Sequence, residues 1–498
     1  MSDNKKVVII GSGLGGLSCG VILAKNGYQV TVLEKGTQVG GCLQCFSRRG
    51  AKFETGMHFV GSAAKGQTLD RWLNYLEVSK DITLSPLDTS CYERVLLKGQ
   101  EYKFPNSHER FVEQFSEYFP KEKDNLEKYF SLVENIFRAS MTNSLRQIGE
   151  EDAIVKYRLQ SVNDVLDSLF EDKLLKNVLL GNSPLYAAEK DKTPFSMHAY
   201  IMGFYNASAF RIVGGSDKIA FSLKSTIEKY GGKVLTNARV SEIVCKEFKA
   251  TGVMVNDTDF YQADYVISDV HPEITLSLIK SNLIRPAFRH RISSLPQTTG
   301  VFSVYVQFKE NTVPYMNSNF YGYHKDTVWD CEKYTEDSWP ENYLYMHFCS
   351  SEKQQYAASG VILAYMRYSE VLKWEGTTLG RRGEDYEEFK KQKAEKLLSE
   401  VENDFPGLKN SVKYYYTSTP LTYVDYTGTK NGSMYGIAKD VRLGAACRVL
   451  HRLRIPNVFQ AGQNINAHGI LGVIVGSLVT CSEFLTAQTI YQQIEEAN

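Results

Sequence analysis

The sequence predicts an α/β protein built from two interleaved domains, and three observations carry that expectation. A β-branched run, a glycine turn, a helical pattern and a second apolar run follow one another in the first forty residues. A second α/β stretch occupies residues 214–267, and a strand feeding a helix closes the chain near residues 455–480. A helix-rich stretch and a set of alternating aromatic strands separate these parts. The α/β domain is therefore expected at 1–80, 210–290 and 416–498, discontinuous in sequence. The other domain is expected at 81–209, read as helical, and 291–415, read as antiparallel sheet plus a helix.

Each element has a local reason. Val7-Val-Ile-Ile10 is apolar and β-branched, as a strand buried on both faces requires. Gly11-Ser-Gly-Leu-Gly-Gly16 follows, then a helical pattern ending at Lys25-Asn-Gly27, where Gly27 suits the C-cap. Residues 28–33 form the second strand, which stops at Glu34. Val162-Asn-Asp-Val-Leu-Asp-Ser-Leu-Phe170 shows the helical period of the 81–209 stretch. Beyond it come a helix, Gly231-Gly-Lys-Val-Leu235, and strand-like runs at 250–255 and 263–267. Val301-Phe-Ser-Val-Tyr-Val-Gln-Phe308 and Tyr343-Leu-Tyr-Met-His-Phe348 alternate as strands, before a charged helix at 384–402. Ile455-Pro-Asn-Val-Phe-Gln-Ala-Gly-Gln463 then leads into an uncharged, glycine-rich helix.

Composition narrows the function classes. The 498 residues carry 57 Lys+Arg against 57 Asp+Glu, so the surplus of cations that a nucleic-acid binder uses is missing. Nine scattered cysteines do not resemble a short secreted disulfide scaffold, and a reducing, cytoplasmic setting is expected. Met1-Ser-Asp-Asn-Lys-Lys6 runs straight into Val7 without the longer apolar stretch of a signal peptide. Residues 464–480 lack charge, and Gly472-Val-Ile-Val-Gly476 has the spacing of a helix-dimerisation motif. Asn466, His468 and the glycines dilute that stretch, and its apolar part falls short of the roughly 20 residues a span needs. A buried helix is the expectation.

Gly11-x-Gly13-x-x-Gly16 sits after a strand and opens a helix, where a dinucleotide fingerprint belongs. Gly11 allows the tight turn, Gly13 lets backbone approach a pyrophosphate, and Gly16 permits close helix–sheet packing. The helix N-terminus adds free N–H groups and a positive dipole end. Glu34, at the end of the second strand, is placed to accept from both ribose hydroxyls and to repel a 2′-phosphate. A bound dinucleotide other than NADP is expected.

Further motifs specify which one. Glu34-Lys35 is followed by Gly40-Gly41, and this extended pattern resembles the FAD proteins of the amine-oxidase and phytoene-desaturase superfamily. Phe53-Glu-Thr-Gly-Met-His-Phe-Val-Gly61 resembles a segment of retinol saturases and their bacterial phytoene-desaturase-like relatives. Val213-Gly-Gly-Ser-Asp217, Gly231 to Val240 and Ala263-Asp-Tyr-Val-Ile-Ser268 resemble the superfamily's second adenine-side segment. Thr419-Pro-Leu-Thr-Tyr-Val-Asp-Tyr-Thr427 and Gly432-Ser-Met-Tyr-Gly436 are similar to segments of the same subfamily. Ala461-Gly-Gln-Asn464 through Gly472 resembles its C-terminal FAD-binding turn. The likeness is weakest at 110–200 and 310–415, where substrate is selected.

The resemblance implies FAD and residue roles. Gly11, Ser12, Gly13, Leu14, Gly15 and Gly16 would cradle the pyrophosphate, with Glu34 and Lys35 at the ribose. Gly40 and Gly41 would line the path to the flavin, and the Val240 backbone would meet adenine. Gly462, Gln463, Asn464, Gly469, Ile470 and Leu471 would reach the ribityl chain and the pyrimidine side of the ring. Many relatives have Asp where this chain has Asn464, so altered affinity is expected there. A helix starting near Gly469 would aim its positive end at the reduced flavin's charge.

His58 and His468 are the candidate catalytic residues. His58 falls near flavin and substrate in the implied arrangement, where an imidazole serves proton transfer; it equally suits a structural role beside Gly56. His468 could bond the flavin or cap the helix. Cys42-Leu-Gln-Cys45 could be a redox dithiol or two unreactive thiols, and Cys91 stands too far away to complete a zinc site. No metal is expected.

The implied activity is FAD-dependent oxidoreduction at carbon–carbon bonds of an apolar polyene or isoprenoid lipid, saturation favoured over desaturation. A flavin-dependent polyene isomerase, an amine oxidase and a non-catalytic lipid escort are the alternatives. No second glycine fingerprint marks a separate NAD(P)H domain, so electrons would come from a visiting pyridine nucleotide, another protein or the substrate. The implied lipid substrate leaves peripheral membrane contact open.

Overall fold

A computed structural model of the chain describes residues 5–143 and 152–498. Its centre is a parallel sheet of β1 (Lys6–Ile10), β2 (Gln29–Leu33), β3 (Lys233–Leu235), β4 (Tyr265–Ser268) and β5 (Val458–Gln460). Their spatial order is β3-β2-β1-β4-β5. All four pairings are parallel. The continuous apolar run of β1 now has its cause: Val7 and Ile9 enter one buried cluster, Val8 and Ile10 another, on opposite faces.

Three helices cover one face. The helix α1 (Leu14–Lys25) packs between α2 (Asp217–Lys229) and α3 (Gly469–Cys481). The glycine-rich α3 is buried inside the protein: its Ser477 hydroxyl donates to the Gly15 carbonyl at 3.1 Å, and residues 470–478 are all buried. A side chain at Gly472 would lie 2.7 Å from Ala467, so the small residue serves the turn into the helix. Among the described residues no helix is long and apolar enough to cross a membrane. The opposite face carries the antiparallel strands Val240–Lys246, Lys249–Val255 and Asp259–Gln262.

The second domain is a seven-stranded sheet backed by helices. Its order is Val412–Ser418, Gly300–Phe308, Ser359–Met366, Asn342–His347, Asn319–Tyr323, Glu93–Leu97, Gln100–Phe104. The last two strands form a hairpin inside the stretch read as helical, so that reading needs correction. Glu93, Val95 and Leu97 alternate inward, and a parallel pairing with the distant Asn319–Tyr323 stabilises a run too short to stand alone. The helices of that stretch are present, among them Lys123–Asn143, Val162–Leu169 and Phe195–Ala207. The Cys45–Arg48/Ala51–Glu54 hairpin and the short sheet of Val60–Gly61, Ala209–Ile212 and Leu84–Pro86 connect the two domains.

Helix α1 meets β1 at Gly16, where a Cβ would lie 2.3 Å from the Gly11 carbonyl oxygen. Gly16→Ala is therefore expected to destabilise the fold by about 1–3 kcal/mol through overpacking. A urea titration checks this, and an unchanged midpoint would refute the packing argument.

Candidate active site: a dinucleotide groove opening into an apolar cavity

The glycine turn after β1 and the loop after β5 meet as bare backbone. Gly11 and Gly462 hold φ of +94° and +91°, a region that excludes most side chains. A Cβ on Gly15 would lie 2.7 Å from the Gly462 nitrogen, and one on Gly41 would lie 3.2 Å from the Gly13 Cα. Between these loops runs a groove of about 420 Å³, within the range of small-molecule sites. Gly11, Ser12, Gly13, Leu14, Gly15, Glu34, Lys35, Gly40, Gly41 and Val240 line it, as do Gly462, Gln463, Asn464, Gly469 and Ile470. The structure thus brings together fifteen of the residues singled out from sequence. Gly16 and Leu471 do not line the groove; Gly16 is consumed by helix–strand packing, and Leu471 points into the core.

Glu34 is held ready to accept. Its Oε2 receives the Ser12 N–H at 3.0 Å and the Ser12 hydroxyl at 2.6 Å, while Oε1 receives the Gly36 N–H at 2.8 Å. Ser12 fills both acceptor positions of Oε2, and Oε1 keeps a lone pair for a ribose hydroxyl. Lys35 instead donates to the Asp425 carbonyl. At the other end Asn464 ties two loops together: its Oδ1 accepts the Ile437 N–H at 2.8 Å, and its carbonyl accepts from Lys439 at 3.1 Å. The Asn464 amide N–H₂ remains to donate to a ligand.

Helix α3 begins at Gly469, on the groove wall, so its free N–H groups face the site. His468 occupies its N-cap without a side-chain capping bond. The imidazole stacks on Tyr435 at 4.3 Å, its Nε2 is buried without a partner, and burial, then Lys439, hold it down to about 3. It is neutral near pH 7, which leaves it a hydrogen-bonding group and removes it as an acid.

Sequence reasoning missed Asp269, the residue after β4. Its carboxyl accepts the Gly16 N–H and lies where side chains on Gly13, Gly15 and Gly462 would be, at 2.7, 2.4 and 2.5 Å. Burial raises it to about 7; the Gly16 N–H opposes and Glu34 adds to the rise. No glycine or charge pattern flags the position. Tyr435 was also missed, although its segment was noticed.

Beyond the flavin end, the groove joins an apolar cavity of about 110 Å³; both are lined by Cys42, Gly56, Met57, Met434, Tyr435 and Ile470. The aromatic strands contribute Val301, Leu344, Met346, Leu363 and Tyr365. No Lys, Arg, Asp or Glu lines it among the described residues, and His58 is its one imidazole. His58 Nδ1 lies 3.7 Å from Glu54 Oε2, and Nε2 has no partner. Glu54 Oε1 accepts the Ser216 N–H, and the buried Arg211 donates to the His58 carbonyl at 3.3 Å. Burial raises the Glu54 carboxyl, opposed by His58 and Arg211. Tyr365 also lines an outer pocket of about 330 Å³ with Glu189, Glu332 and Arg367.

Both cysteines of the C-x-x-C pair are held as protonated thiols. Cys42 lines the cavity and Cys45 lies beside Ser216 at 3.6 Å; both thiols are free. Burial, then Asp269, pushes Cys42 up to about 11, and burial, then Glu54, pushes Cys45 to about 12, so neither is a thiolate at neutral pH. Among the described residues no cluster could hold a metal ion.

A glycine-lined nucleotide groove ending against an apolar cavity between two interleaved domains defines a flavoenzyme of the amine-oxidase fold. Residues 14–474 match the family of flavin containing amine oxidoreductases, and the chain belongs to that family. It is similar to the all-trans-retinol 13,14-reductase of Homo sapiens, 28% identical across 98% of this chain and 87% of that one. It is 23% identical to prolycopene isomerase 1, chloroplastic, of an Oncidium hybrid cultivar, across 98% and 84%. Among solved structures, an oxidoreductase from Methanosarcina mazei superposes with a TM-score of 0.63 at 17% identity, over 95% and 99% of the two chains.

Glu34→Gln removes the charged acceptor at the ribose. Titration of the flavin-free protein should show FAD bound about tenfold or more weakly, the order of one charged hydrogen bond at about 1.5–3 kcal/mol. Equal affinities would remove Glu34 from the site.

Proposed function

We propose that the protein binds FAD in this groove and reduces a carbon–carbon double bond of an apolar, retinoid- or carotenoid-like polyene. One observation carries the reading: the groove opens directly into a cavity whose lining is uncharged and aromatic, with a single imidazole in its wall. The likeness to a retinol reductase over nearly the whole chain supports the direction of the reaction. Bound FAD would supply the hydride chemistry at its ring.

The protein's own groups do the rest. Tyr365, Leu363, Leu344 and Met346 exclude water from the reacting carbons and hold an extended chain. A cavity of about 110 Å³ takes only part of a polyene. His58 would deliver the proton to the neighbouring carbon from Nε2, while Glu54 stands 3.7 Å from Nδ1 and orients the ring. The lysine that would mark an amine oxidase is missing from the described lining residues.

Anaerobic photoreduction of the yellow protein, followed by a panel of polyenes, tests this. Reoxidation by an unsaturated lipid with formation of a dihydro product is the expected result. Reduction of the oxidised enzyme by a saturated lipid would make it a desaturase, and colourless, flavin-free protein would favour an escort. His58→Gln should lower turnover by roughly 10²–10⁴, the usual worth of a general acid, while the flavin spectrum and lipid binding persist. Turnover within a factor of two would exclude His58 from the proton step.

A further inference from the structure

Asp269 presents a conflict of charge. Its carboxyl stands among Gly13, Gly15, Gly16 and Gly462, the backbone that would receive a dianionic pyrophosphate. The groove offers few cations to offset it. Among the described lining residues only Lys35 and Arg239 carry formal positive charge, and both are engaged elsewhere, Lys35 with the Asp425 carbonyl and Arg239 with Asp257. The negative charge of a pyrophosphate is met here by helix N–H groups alone, and Asp269 already uses the one on Gly16.

The neighbours do not relieve Asp269. Glu34, at the end of β2, adds like charge, and Cys42, from the turn after Gly41, stays a neutral thiol. His271, two residues on, is turned to the Gln297 side chain at 3.2 Å and the Glu273 N–H. Two phosphate charges, Glu34 and an ionised Asp269 would together crowd a buried pocket with anions. A neutral carboxyl removes one of them and supplies an O–H donor in its place.

We propose that Asp269 is a proton-dependent part of the cradle: its carboxyl takes up a proton from solvent as the pyrophosphate seats, so flavin binding is coupled to protonation. The coupling rests on the reading that this groove binds FAD. The direction follows from linkage. In the flavin-free protein burial already holds the carboxyl up to about 7. Below that pH it is protonated beforehand and binding changes nothing. Above it, each pH unit weakens apparent FAD affinity by about tenfold, because the bound form must recover the proton.

Calorimetric titration of the flavin-free protein with FAD tests the coupling, in two buffers of different ionisation enthalpy at pH 8 and again at pH 6. The wild type should take up about 0.9 proton at pH 8 and about 0.1 at pH 6. Asp269→Asn keeps the shape and a neutral donor, and should show no uptake at pH 8 and an affinity level across that range. Wild-type uptake near zero at pH 8 would overturn the proposal without reference to any variant. So would undiminished uptake in Asp269→Asn. Absence of FAD binding at both pH values would instead overturn the cofactor reading, and the coupling with it.

Discussion

The architecture depends on the approach of two backbones. The turn after β1 and the loop after β5, from opposite ends of the chain, come close enough that a single Cβ at Gly15 would strike Gly462. That contact brings the N-terminus of α1 and that of α3 to the same groove, one near a phosphate position and one near the ring end. Placing both requires β1, β4 and β5 as adjacent parallel strands, with every connection returning across the sheet faces. The glycines are tolerated because the sheet beneath them is buried on both sides.

The second domain solves a different problem. It must present an uncharged wall to the flavin end while keeping its own polar groups satisfied. The strands Gly300–Phe308, Asn342–His347 and Ser359–Met366 do this largely with aliphatic and aromatic side chains on backbone paired in the sheet. Buried polar groups are confined behind that wall, as with His198, whose ring bonds Tyr129 and Tyr186 and is held down to about 3. Asn342 and His58 do reach the cavity, and His58, with Glu54 behind it, is braced by Arg211 and Ser216.

Much of the nucleotide half was legible in the sequence because its constraints are local. A glycine spacing, a β-branched run and an acid at a strand end each act within a few residues, so Gly11, Gly13, Gly16 and Glu34 could be read directly. Gly462 to Ile470 needed resemblance to other sequences, since nothing local announces that a C-terminal turn returns to the first strand. Asp269 was invisible because its meaning comes from three loops meeting in space. The hairpin Glu93–Phe104 was hidden for a related reason: its stability comes from pairing with Asn319–Tyr323, and that partner cannot be found from period alone. His468 shows the reverse case, a residue singled out as a catalytic candidate whose buried environment strips it of acid character.

The groove walls come from four widely separated lengths of chain: residues 10–57, 238–278, 426–435 and the segment after β5. A ligand lying along them acts as a non-covalent staple between the two ends of the polypeptide. It adds RT ln(1 + [L]/Kd) to the folded state and nothing to the unfolded one. Cofactor supply and protein lifetime then become linked quantities: a cell short of flavin would hold a looser chain.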